Sequence, residues 1–159
     1  ECPVSNVTFT DVQAFIEKLN AKTGRHFRLP TEAEWEFAAR GGKYSKEYKY
    51  AGSNKLGEVA WFGHPNGTTH PVCKKEPNEI GLYDMSGNVA EWCNDWYGED
   101  YYSKTIDEIN PKGPVSGSLR VVRGGSFYDG DNDCRSVDRG RLGPDVRQWN
   151  IGFRLALDY

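Results

Sequence analysis

Apolar residues recur at helical spacing near the start of the chain and alternate near its end. Val12, Phe15, Ile16 and Leu19 share one face of a helix read over Val7 to Gly24, with Thr10 as its N-cap, Gln13 three residues later and Gly24 as a left-handed stop. Phe27-Arg28-Leu29 reads as a short extended piece, kept extended at Leu29 by Pro30. Thr31 and Glu34 form a capping box that opens a second helix, and Gly41-Gly42 ends it. The carboxylates Glu32, Glu34 and Glu36 lie in its first turns, where negative charge favours the helix dipole, so they read as helix chemistry and not as a catalytic pair. Leu119 to Val122 predicts a strand, and Ile151, Phe153, Leu155 and Leu157 alternate with Gly152, Arg154, Ala156 and Asp158 as a final strand with one buried face.

The densest stretch is Gly81 to Tyr97, GLYDMSGNVAEWCNDWY. Asp84 to Asn88 has turn chemistry. Beyond it, a strand would place Trp92, Asn94 and Trp96 on one face and Glu91, Cys93 and Asp95 on the other, while a helix would also bring Trp92 and Trp96 together; the spacing leaves both open. Lys43 to Lys75 is irregular and carries Tyr44, Tyr48, Tyr50, Trp61 and Phe62 as anchors for loops, and Asp100 to Ser118 reads as an exposed connection.

Composition narrows the function classes. The 159 residues fit one domain, and 13% aromatics with 18 glycines suit a loop-rich fold pinned by rings. A net charge of -3 without a basic stripe gives no footprint for nucleic acid or an anionic membrane, and no apolar run is long enough to insert directly into one. The chain starts at Glu1-Cys2-Pro3, which reads as a processed or trimmed product; a cell surface, a secreted form or a phage particle is the expected setting. The histidines His26, His64 and His70 have no zinc-site spacing, and Cys2, Cys73, Cys93 and Cys134 form no C-x-x-C. Cys93 and Cys134 are either bridged or buried thiols.

Four motifs together identify a resemblance: RLPTEAEWEFAARGG (residues 28–42), PNEIGLYDMSGNVAEW (77–92), RVVRGGSF (120–127) and IGFRLA (151–156). They resemble the formylglycine-generating-enzyme, or sulfatase-modifying-factor, family. The resemblance implies an α+β domain of the C-type lectin-like fold, with two helices, a small twisted antiparallel sheet and much irregular structure. The family's opening block, G-G-x-F-x-M-G followed by a segment like E-V-T, is absent, which implies a fragment or a shortened relative. In the family's oxidases two cysteines bind copper, one shortly after R-G-G-S and one five residues later. Here the matching positions hold Asp129 and Cys134, and one thiolate does not make the two-sulfur site that copper requires. Copper and the oxidase activity are therefore not expected.

The motif pattern is nearest to variable proteins diversified by retroelements of bacteria and phages, matching at R-G-G-S-F, C-R-S, P-D-x-R and I-G-F-R-L. In that group adenine-directed copying of Asn codons reaches Tyr, Asp, Gly, Val, Leu and Arg. Tyr128, Asp129, Gly130, Asp133, Asp138, Gly140, Arg141, Leu142, Gly143 and Val146 lie within that set; Gln148 and Trp149 do not arise from one such codon. The resemblance implies a non-enzymatic domain that displays residues 127–149, with Asp131 included, to a protein or glycan ligand. It also implies a structural calcium at Asn88, Val89 and Glu91, whose alternative role is to cap the turn. Arg123, Arg135, Arg139, Arg147 and Arg154 are expected to pin loops. The rival functions are a sulfatase-modifying oxidase or related metal enzyme, and an accessory domain of a larger envelope protein.

Overall fold

The computed structural model describes residues 1–64 and 67–158. Helix α1 spans Phe9–Thr23 and buries Phe9, Val12 and Ile16. Its cap is Thr8 and not Thr10: Thr8 Oγ1 accepts from Asp11 N at 3.0 Å, and the Asp11 carboxylate accepts from Thr8 N at 2.9 Å. Aspartate thus completes a capping box usually closed by Glu or Gln, while Thr10 donates its hydroxyl to Asp145. Gly24 stops the helix at φ +66 and donates to Asn20 O, as expected. Strand β1 (His26–Arg28) leads into α2 (Glu32–Ala39), whose Thr31–Glu34 box closes as read from the sequence. A 3-10 turn at Gly42–Tyr44 and one helical turn, α3 (Leu56–Val59), interrupt the next irregular stretch.

The dense stretch Gly81 to Tyr97, the keystone of the chain, forms a strand, β2 (Ala90–Trp96), followed by a single turn α4 (Tyr101–Lys104), β3 (Arg120–Arg123), β4 (Gly140–Leu142), β5 (Ile151–Gly152) and β6 (Ala156–Asp158). A four-stranded sheet runs β4-β3-β2-β5, and β1 pairs with β6 in a separate antiparallel ribbon. The sheet is mixed where an antiparallel one was expected, because β5 joins β2 in parallel through Ala90–Ile151 and Glu91–Gly152. The single C-terminal strand is also two: Phe153 to Leu155 leave the ladder, and the chain passes from one sheet to the other. Alternation alone cannot reveal that change, since both pieces keep the same two-residue period.

Two apolar clusters lie on opposite faces of β2. Trp92 packs with Phe9, Val12, Ile16, Leu29, Val122 and Ile151 on the α1 side, while Cys93 packs with Trp35, Ala39, Met85 and Val121 on the α2 side. Trp92 also donates its indole N–H to Val7 O at 3.1 Å, which ties the start of α1 to the strand. A third cluster collects Tyr50, Leu56, Val59, Ala60 and Cys134 beneath the C-terminal loops. Cys93 and Cys134 therefore sit in different clusters as free thiols, and Cys2 and Cys73 are free and exposed.

Candidate functional site

The RGGS motif makes the sharp turn from which the loops of residues 127–149 emerge. Gly124 and Gly125 both take positive φ, +93 and +63. A Cβ on Gly124 would reach the Trp35 ring at 3.0 Å, and one on Gly125 would meet Asp133 O at 2.8 Å and Cys134 Sγ at 2.9 Å. Glycine is therefore required twice, for conformation and for room. The turn docks on the keystone: Gly87 N donates to Gly124 O and Phe127 N to Asn88 O, each at 2.9 Å. Phe127 is buried, and the chain comes to the surface at Tyr128.

Beneath this turn lies a frame of buried ion pairs. Glu32, buried at the start of α2, receives Arg139 through both carboxylate oxygens at 2.7 and 2.8 Å and lies 3.4 Å from Arg123 Nε. Arg123 also bonds Glu36, Ser136 O and Asp138 O. Glu91 receives Arg154 at 2.6 and 2.7 Å and the Trp35 indole N–H at 2.7 Å. Charge-assisted pairs of this kind hold direction as well as distance. The arginines act as loop pins, as expected, with Arg147 on Asp11 and Arg135 beside Asp138. The reading of Glu32 and Glu36 as helix-dipole residues is incomplete, because their partners lie about ninety to a hundred residues away and their spacing gives no sign of it. Asp95, under the same helix, accepts from Glu32 N at 2.8 Å; burial, reinforced by the Glu32 and Glu34 carboxylates, pushes its carboxyl up to about 6.

Above the frame a concavity of about 230 Å3 brings together Asp129, Asp133, Asp138, Gly140, Arg141, Leu142 and Gln148 from the displayed segment. Its floor comes from residues outside the expected site, chiefly Ala90, Val122 and Ile151 of the sheet. Nothing in their spacing marks them as floor; only the pairing of β2 with β3 and β5 puts them there. Tyr128 and Trp149 are 48% and 47% exposed and meet edge to face at 5.3 Å on the adjoining surface, where Trp149 leans on Phe127. Gly130 and Asp131 are exposed and do not line the concavity. Gly143 and Val146 lie apart from it in a turn closed by Val146 N to Gly143 O, and the neighbouring Pro144 O accepts from Phe9 N of α1. The loop Trp61 to His64 borders the same surface through Gly63 N to Asp129 O and His64 N to Phe127 O, a neighbour the sequence does not announce.

The calcium expected at Asn88, Val89 and Glu91 does not fit these donors. Asn88 accepts from His70 N at 3.0 Å and donates to His70 O at 3.1 Å, so it clamps the preceding loop. Glu91 already faces a guanidinium, which would repel a cation, and Val89 is buried. Glu91 does not cap the turn either. Among the described residues no three His, Cys, Asp or Glu side chains converge to hold a metal. Copper fares no better: Cys134 is fully buried, and desolvation, with Asp129, Asp133, Asp131 and Asp138 adding to it, pushes its thiol up to about 12. Burial also raises the thiol of Cys93, which lies in another cluster. The position matching the other copper cysteine holds Asp129, so Cys134 has no sulfur partner there for a two-sulfur set.

The whole chain, residues 1–159, matches the model of the sulfatase-modifying factor enzyme 1-like domain. It is 37% identical to the formylglycine-generating enzyme of Streptomyces coelicolor over 98% of this chain and 52% of that protein. It is 39% identical to the serine/threonine-protein kinase pkn1 of Chlamydia pneumoniae over 97% of this chain and 24% of that one. The chain thus spans between a quarter and about half of these relatives. Among solved structures, Treponema denticola variable protein 1 superposes with a TM-score of 0.87 at 36% identity, covering 97% of this chain and 70% of that one. PvdO from Pseudomonas aeruginosa superposes at 0.83 with 30% identity, covering 99% and 62%. Fold and sequence agree: this chain has the C-type lectin-like α+β fold and belongs to the formylglycine-generating-enzyme, or sulfatase-modifying-factor, family.

Proposed function

We propose that this chain is a non-enzymatic binding domain that presents residues 127–149 to a protein or glycan ligand, in the manner of retroelement-diversified variable proteins. The observation that carries the reading is the pair of half-exposed rings, Tyr128 and Trp149, held beside a concavity on a frame of buried ion pairs. Large rings that keep about half their surface in water beside an adaptable polar rim form the pattern of binding hot spots. The likeness to Treponema denticola variable protein 1 supports the same reading. The buried, protonated state of Cys134 and the carboxylate at position 129 weigh against the oxidase alternative.

The test selects ligands for the wild-type chain from a peptide display library and a glycan array, then measures them against Tyr128→Ala and Trp149→Ala. Each variant is expected to weaken capture at least about tenfold while remaining folded. Ligands held equally by wild type and both variants would place recognition elsewhere. A cysteine-containing sulfatase peptide incubated with Cu(I) and oxygen should yield no formylglycine; turnover would restore the enzyme reading.

A further inference from the structure

We propose that the displayed surface takes a lysine or arginine side chain of a protein partner, an inference that rests on the binding reading above and names its ligand chemistry. Every arginine of the displayed segment is already engaged. Arg139 is fixed on Glu32, Arg147 on Asp11 and Arg135 beside Asp138, and Arg141 is turned onto Tyr97, with Nη1 2.9 Å from the hydroxyl and its guanidinium 4.8 Å from the ring centre. Asp129, Asp131 and Asp133 have no ion pair among the described residues. Asp129 accepts only from Ser126 Oγ, at 2.6 Å, and Asp133 only from Gly130 N, at 3.2 Å, through one carboxylate oxygen each. Two carboxylates without an ion pair, Asp129 and Asp133, thus line the concavity, and the exposed Asp131 lies between them in the chain.

The rest of the concavity matches the remainder of such a side chain. Ala90, Val122, Leu142 and Ile151 offer apolar contact for a methylene stem, and about 230 Å3 is room for one long side chain. Asp129 and Asp133 line the opening where the charged end would rest. The rings of Tyr128 and Trp149 stand beside it, and exposed aromatic faces attract cations in their own right. A neutral glycan can donate hydroxyls to Asp129 and Asp133 but leaves their charge uncompensated, and an acidic one is repelled. Charge complementarity therefore selects a basic protein surface.

The experiment uses three probe sets in parallel: display peptides carrying a central Lys or Arg, the same peptides with norleucine or Glu at that position, and an array of neutral glycans. Lys or Arg peptides should be retained, and exchange for norleucine should weaken them at least about tenfold. Asp129→Asn and Asp133→Asn should do the same while keeping the wild-type melting temperature, because asparagine preserves each local hydrogen bond. Raising salt from about 0.05 to 0.5 M should weaken wild-type binding and leave the Asn variants little changed. Neutral or acidic ligands that still require Tyr128 and Trp149 would overturn the charge inference and leave the binding reading standing. Capture from none of the three sets, or capture indifferent to both rings, would overturn both.

Discussion

Arg123, Arg139 and Arg154 differ from Asp129, Asp131 and Asp133 by more than sign. The arginines are met by carboxylates from α2 and β2, mostly out of water, whereas Asp131 and Asp133 are exposed and Asp129 half-buried, with no ion pair among the described residues. Charges that hold a fold are paired and buried because an isolated buried ion is too costly. Charges left unpaired on a rigid rim do little for folding, so their placement is intelligible as recognition. The C-terminal quarter thus divides into a frame of paired charges and a rim of unpaired ones, and under the proposed binding role the frame sets stability and the rim sets recognition.

The largest test of that division is Glu32→Ala. It strands Arg139 and removes a neighbour of Arg123, and urea unfolding should show a loss of about 3–5 kcal/mol. Trp35→Phe, which deletes the indole N–H held by Glu91 and shrinks a buried ring, should cost about 1–3 kcal/mol in the same measurement. If either change left the urea midpoint in place, the frame would not be what holds the loops.

Asp95 sharpens the comparison from the side of pH. Its carboxyl titrates at about 6 in the fold against an ordinary value of 3.8, so the folded state holds its proton more tightly than the unfolded chain does. That contribution is fully present below about pH 4 and is lost as pH rises through 6. Asp95→Asn should therefore stabilise the protein by about 1–3 kcal/mol at pH 7.5 and flatten the dependence between pH 4 and 6, as read by unfolding at several pH values. On the rim the effects on folding are smaller. Tyr128→Ala should change stability by less than about 1 kcal/mol, and Asp131→Asn by less than about 0.5 kcal/mol. Smallest of all, a chelator should leave the melting temperature in place, since Glu91 is satisfied by Arg154; a marked fall would reinstate a metal at the keystone.

Local signals carried the sequence reading well where one segment decides the outcome. Both long helices, the Gly24 stop and the Thr31–Glu34 box follow from capping chemistry within four residues, and only the choice of Thr10 over Thr8 went astray. A family resemblance, and no local pattern, is what singles out residues 127–149, in which Tyr128 and Trp149 stand half exposed. What the sequence could not reveal depends on pairing at a distance. The parallel β2–β5 contact, the division of residues 151–158 between two sheets, and Arg139 reaching Glu32 across 107 positions leave no local periodicity. Glu91 is the clearest case. Its place three residues after Asn88 suggests a cap or a cation ligand, and only the folded chain brings Arg154 and Trp35 to it.

The most direct measurement combines unfolding and ligand capture on one variant, Tyr128→Ser, Asp131→Ser, Gln148→Ser and Trp149→Ser together. The division into frame and rim predicts a urea midpoint corresponding to a loss of no more than about 2 kcal/mol, with capture of wild-type-selected ligands weakened at least about a hundredfold. Unfolding of the variant, or capture at wild-type strength, would contradict it.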